Sequence, residues 1–301
     1  MRSPNEPPTP GPAGPRALPW RAIGAAAAIA ALLFVVYRGV FPTLWRTWRE
    51  NENYSHGYLV PPVVAFLFWV ERRRFARAIG AGSAWGIALI AAALLGHVVS
   101  IRAGVFMTQG YSLVLLLFGL SLFFFGGAAT RAIWFPLSYL VFALPMPPLI
   151  VSVLSFQLKV FAARAGSAIA ALAGIPLVRS GMTIHMASGS LRIADPCSGL
   201  RSLIALVALG ALFAYFTRAS LWKRLVLFLS AVPLAVIANI VRIALLCAVA
   251  NVSGIDTALG FFHKFSGLLL FLIALGGLAL VRRLLRCDEP VGESARNEEA
   301  A

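Results

Sequence analysis

The chain has 301 residues, 60% of them hydrophobic and only 12% charged, with a mean hydropathy of +0.85, so it carries too few polar side chains to coat a water-soluble globule. Its formal charge of +15 comes from short basic clusters set between apolar runs, which excludes a continuous nucleic-acid-binding face and reads as the topology signals of an integral membrane protein. Three cysteines, Cys197, Cys247 and Cys287, stand far apart with no CxxC, so neither a disulfide scaffold nor a zinc site is indicated.

The first nineteen residues, MRSPNEPPTPGPAGPRALP, are rich in Pro and Gly and read as a disordered tail (1–19) ahead of a transmembrane domain (20–285), with a second disordered tail at 286–301. The apolar run behind the first tail is too long for a signal peptide and lacks a cleavage site. At about 20 apolar residues per span, the sequence predicts eight helices near 20–41, 57–70, 83–101, 105–126, 132–153, 198–217, 225–250 and 258–281. The second is short and carries Pro61 and Pro62, so its limits are the hardest to set.

Eight spans put the basic residues after helix two (Arg72, Arg73, Arg74, Arg77), helix six (Arg218, Lys223, Arg224) and helix eight (Arg282, Arg283, Arg286) on one side, with Arg131 and both termini. By the positive-inside rule that side is the cytoplasm of a multi-pass membrane protein. The stretch from Ser155 to Pro176 is apolar but holds Lys159 and Arg164, and a ninth span there would carry the later clusters outside. It is therefore expected to lie in the outer interface or to re-enter the membrane. LVRSGMTIHMASGSLRIAD alternates around SGS, the pattern of a small β-hairpin on the outer face. The expected fold is thus an all-α polytopic membrane protein with about eight transmembrane helices, an interfacial or re-entrant helix and that hairpin.

Helix six follows ADPCSGLRSL. Asp195 suits an N-cap and Pro196 the first helical position, which sets Cys197 in the first turn at the outer end. There the helix dipole and Arg201, one turn on, favour thiolate, while Asp195 opposes it. Arg242 sits inside the apolar run of helix seven, where an arginine costs about 2.5–3.5 kcal/mol on insertion scales. With that helix ending near Ala250, it lies about 12 Å below the outer end. His263 opens helix eight from the same side. A thiolate to attack a carbonyl, a guanidinium to stabilise an oxyanion and an imidazole to move a proton make an acyl-transfer set on three consecutive helices. Asn239, three residues from Arg242, is placed to orient the guanidinium, and His56 in YSHGYL is placed on the outer side to support the site or bind substrate. His97 is expected to be a packed helix residue, His185 solvated on the hairpin, and Cys247 and Cys287 unreactive. No metal or other cofactor is called for by these residues.

CSGLRSL, the ANxxR of Ala238–Arg242 and His263 near the start of the last helix resemble the motifs of exosortases, the bacterial branch of the exosortase/archaeosortase family. YSHGYLVPPVVAFLFW, FPLSYLVFALPMPP and the GMTIHM…LRIAD segment follow in the same order, so the likeness runs from about residue 40 to 281. Pro196, where many relatives carry alanine, and the lack of a fused periplasmic domain are departures. The resemblance implies a membrane cysteine protease or transpeptidase acting on exported proteins with a C-terminal sorting signal, a Pro-Glu-Pro type motif followed by a transmembrane helix and basic residues, often alongside extracellular polysaccharide production. It implies Cys197 as acyl-thioester nucleophile, with Arg242 and His263 sharing transition-state stabilisation and proton transfer. Two other readings are a membrane acyltransferase and a transporter with Arg242 and His263 along a polar pathway. A transporter predicts ionisable groups spread through the membrane depth and inverted repeats; the charges here gather near one face and no repeat is evident.

Overall fold

A computed structural model describes residues 20–193 and 199–287 of the chain. They fall into two units that part between Pro42 and Thr43. The first contains helix α1 (Trp20–Val36), apolar from residue 22 onward. From Thr43 on, the chain belongs to the second.

Helix α2 (Val40–Glu50) leads into a 3-10 helix, Glu52–Leu59, whose N-cap Asn51 accepts the backbone N–H of Asn53 at 3.0 Å. Helix α3 (Val60–Ala78) places Pro61 and Pro62 in its first turn, where no intrahelical N–H is missed, and runs eight residues past the predicted end at 70. Helices α4 (Trp85–Arg102) and α5 (Phe106–Ala132) form a hairpin.

At Gly126 (φ 79°, ψ 175°) helix α5 breaks. A straight helix would hold residues 121 and 130 about 13 Å apart, yet Ser121 Oγ and Thr130 Oγ1 share a 2.9 Å hydrogen bond, so the chain folds back on itself. Only glycine fits: the conformation is nearly closed to other residues, and a Cβ would stand 2.4 Å from the Ala81 carbonyl oxygen. The returning chain continues as α6 (Trp134–Tyr139) and a 3-10 turn, Leu140–Ala143. It climbs along helix α8 (Leu200–Phe216), antiparallel to it: Phe135 stacks on Tyr215 at 3.9 Å, Tyr139 Oη donates to the Ala208 carbonyl at 3.3 Å, and the Phe142 carbonyl accepts from His56 Nε2 at 3.1 Å.

These elements correct the expected fifth helix. It ends at Ala143, not 153, because Pro145 and Pro147 break the pattern, and one 25-residue helix, α7 (Pro148–Leu172), takes in both its predicted last turns and most of the stretch assigned to the interface. By length and composition α4, α5, α7, α9 (Leu221–Ser253) and Phe265–Leu284 of α11 (His263–Leu284) are candidate membrane spans, six in all if Ala27–Val36 and Val40–Glu50 form one broken span. Eight is not reached by that measure, since α8 has 17 residues and α3 ends in the basic cluster.

The predicted hairpin is a three-stranded antiparallel meander: β1 (Leu177–Ser180), β2 (Thr183–Met186) and β3 (Gly189–Arg192). Ser180 pairs with Thr183 and Met186 with Gly189, so each connection is two residues long. The first is Gly181-Met182, a turn beyond the one expected around SGS, and Gly181 turns the chain there at φ 61°. Ile184 and Leu191 face each other across the ladder and are fully buried, packing with Ile193 against Ala162, Ala163 and Ala170 of α7 and Ile243, Leu246 and Cys247 of α9. A short helix, α10 (Ile255–Thr257), and a π turn, Ala258–Phe262, connect α9 to α11.

Candidate active site

Two distant stretches are clipped together at one end of α8. Trp48 Nε1 donates to the Ala143 carbonyl at 2.8 Å, the Met146 N–H donates to Tyr54 Oη at 3.1 Å, His56 Nε2 reaches Phe142, and Tyr111 Oη donates to the Pro145 carbonyl at 3.2 Å. Gly57 makes the approach possible, for a Cβ there would meet the Trp48 indole at 2.3 Å. The 3-10 helix carrying Glu52 and His56 is thereby fixed beside the start of α8.

Helix α8 begins at Leu200 with Gly199 as its N-cap, in the left-handed region at φ 76°. The expected cap Asp195, Pro196 and the first-turn position of Cys197 fall on residues 194–198, outside the described residues. Gly199 packs against Asn239 of α9 so closely that a Cβ would lie 2.6 Å from the amide carbon. Both backbone freedom and space therefore demand glycine at the point where the chain enters α8.

Helix α9 extends to Ser253, three residues past the expected end, so Arg242 stands eleven residues, or about 16 Å, before its C-terminus. Its guanidinium lies against α11 where Gly267 has no side chain: a Cβ on Gly267 would be 3.2 Å from Arg242 Nη2. His263 is the first residue of α11, one turn before Gly267; its side chain is outside the description.

Four of the six residues singled out from sequence, His56, Arg201, Asn239 and Arg242, line one cavity of about 820 Å³, together with Gly199 and Gly267. Below them the walls are apolar, with Val63, Leu209, Leu212 and Phe271. Asn239 is buried and Arg242 half-buried. Burial pushes the His56 pKa below its ordinary value, the Phe142 carbonyl opposes that, and the nearby Arg201 cation adds to it, so this imidazole is neutral near pH 7. The guanidiniums and the amide offer hydrogen-bond donors to a developing negative charge in a mostly apolar cleft, where such interactions are strong.

Sequence reasoning missed Glu52, whose Oε2 lies 3.8 Å from Arg201 Nη1 at the cavity wall, and Trp48 and Tyr54, which fix the cap. A signal for Glu52 was present: of 11 acidic residues, only Glu50, Glu52, Glu71, Asp195 and Asp256 fall between residues 20 and 287. Other expectations stand as follows. His97 is buried in α4, His185 is exposed on β2 and shares a 2.8 Å hydrogen bond with Ser190 Oγ, and Cys247 and Cys287 are both buried. Among the described residues no cluster of His, Cys, Asp and Glu is arranged to hold a metal ion.

Residues 48–280 match the family model described as transmembrane exosortase. No curated protein and no solved structure matches the chain.

Proposed function

The chain belongs to the transmembrane exosortase family, and from that premise we propose that it is a membrane-embedded cysteine protease or transpeptidase that cleaves the C-terminal sorting signal of exported proteins. The observation that carries this reading is the cavity. It gathers Arg242, Asn239, Arg201 and His56, and its wall includes Gly199, two residues after Cys197 in the chain, and Gly267, one helical turn after His263.

Cys197 Sγ, as thiolate, attacks the scissile carbonyl carbon, and the oxyanion accepts hydrogen bonds from the Arg242 guanidinium. As the C–N bond breaks, the departing amine takes a proton from His263, leaving an acyl-thioester on Cys197. Water or an acceptor amine, deprotonated by His263, then attacks the thioester and releases the thiolate. Asn239, about one turn before Arg242 on α9 and packed against Gly199, positions the two ends of this apparatus.

In the membrane we place eight passes: the α1–α2 region, α3, α4, α5 up to Gly126, the returning 127–143 segment, α8, α9 and α11. Helix α7 is left out of this count, although long and apolar enough to span, since a ninth pass would carry the later basic clusters to the outer side. The basic clusters and both termini then face the bacterial cytoplasm and the cavity opens near the outer face.

The test is a reporter ending in a Pro-Glu-Pro motif, an apolar helix and basic residues, expressed with the full chain. Processing is expected with the unsubstituted protein and is lost with Cys197→Ala. Equal processing by that variant refutes the nucleophile, and mass spectrometry of the new C-terminus separates hydrolysis from transfer.

A further inference from the structure

The cavity already holds a carboxylate. Glu52 and Arg201 both line it, their side chains are 71% and 58% exposed, and their contact of 3.8 Å is longer than a hydrogen bond. Such a pair is held loosely, because water screens it and two long side chains must be ordered to make it. Glu52 is therefore a displaceable occupant of a carboxylate position.

Charge and wall chemistry say what displaces it. Among the described residues lining the cavity the charged groups are Glu52, Arg201 and Arg242, two cations against one anion, with His56 held neutral. A cation is repelled and an anion fits. The walls beyond are apolar, so an inorganic anion leaves them wet, whereas a carboxylate on an apolar peptide satisfies both parts. A guanidinium presents two parallel N–H donors to a carboxylate, a geometry that the single long contact with Glu52 does not use.

We infer that Arg201 is a specificity residue that reads an acidic side chain of an otherwise apolar peptide at this cavity, and that Glu52 is the chain's own competitor for it. This rests on the sorting-signal reading above and assigns the recognition of the signal's glutamate to Arg201.

The test uses the full-length Cys197→Ala protein in detergent and two fluorescent apolar peptides, one with Pro-Glu-Pro and its Pro-Gln-Pro twin, followed by anisotropy. The glutamate peptide is expected to bind about tenfold tighter, as for a hydrogen-bonded ion pair. Arg201→Gln abolishes that preference and leaves the glutamine peptide unaffected. Glu52→Gln tightens the glutamate peptide by about two- to fivefold, the range for losing an exposed competitor, without changing the glutamine peptide. Equal binding of the twins to protein with Arg201 and Glu52 intact overturns the inference and needs no variant at either position to fold. Arg201-dependent binding of phosphatidylglycerol nanodiscs with no preference between the twins overturns it too. Failure here is separable from failure of the protease reading: reporter processing indifferent to Glu→Gln ends only the inference, and glutamate-selective binding without Cys197-dependent processing ends only the protease assignment.

Discussion

The two ends of helix α8 treat polar groups in opposite ways. At its C-terminal end Tyr215 Oη donates to Glu71 of α3, Arg74 stands 3.8 Å from the same carboxylate, Arg224 Nε donates to the Ala214 carbonyl at 2.7 Å, and the Phe135 ring closes over Tyr215. At its N-terminal end Glu52, His56, Arg201, Asn239 and Arg242 surround about 820 Å³ of space. One end is a closed set of partners that ties α3, α6 and α8 together. The other keeps room and an excess of positive charge, which packing alone does not require. Polar residues in a membrane protein thus divide by whether they fill space or border it.

Gly199→Ala is the strongest way to break the open end. A left-handed φ of 76° in a non-glycine residue costs about 1–3 kcal/mol, and the new Cβ meets Asn239 as well. Processing of the reporter is expected to fall by more than tenfold, and Gly199→Ala with Asn239→Ala to show the clash relieved as a partial recovery of melting temperature. A Gly199→Ala protein with normal processing and stability would mean that the start of α8 is not held as the structure shows.

Tyr215→Phe breaks the closed end. Losing a hydrogen bond to a carboxylate costs about 1.5–3 kcal/mol, read as a lower midpoint in thermal unfolding in detergent, while processing per folded molecule is unchanged. Reduced processing at full stability would make the two ends functionally coupled.

The smallest effect concerns His56. Because burial depresses its pKa in the folded state, the unfolded chain binds the proton more readily, and stability from this group is fully present above the ordinary histidine value of about 6.5. It declines as pH falls through that value and levels off below the folded pKa. His56→Gln is expected to flatten this acid-side decline in a melting series from pH 7.5 to 5. An unchanged slope would show that the imidazole is more solvated than its position implies.

The helices were legible where apolar runs were long: α4 and α11 fall close to their predicted limits. They were misread where proline and glycine act through tertiary contact. Gly126 was taken as the end of a span, whereas its meaning, a reversal against the Ala81 carbonyl, depends on a loop 45 residues earlier in the chain. The LPMPP stretch ended a helix, as prolines do, but that Tyr54, Trp48 and Tyr111 would hold it was not readable from residues so far apart.

Membrane residence, the helical class and the presence of chemistry-bearing residues on α8, α9 and α11 were determined by the sequence itself, because hydropathy and local conformational preference act over one or two turns. Which of those residues share a cavity, and that Glu52 meets Arg201 across 149 positions, was decided only by the tertiary structure. The physical reason is that one side chain's position relative to another on a different helix depends on packing of small residues such as Gly57, Gly199 and Gly267, whose effect appears only when the opposing surface is in place.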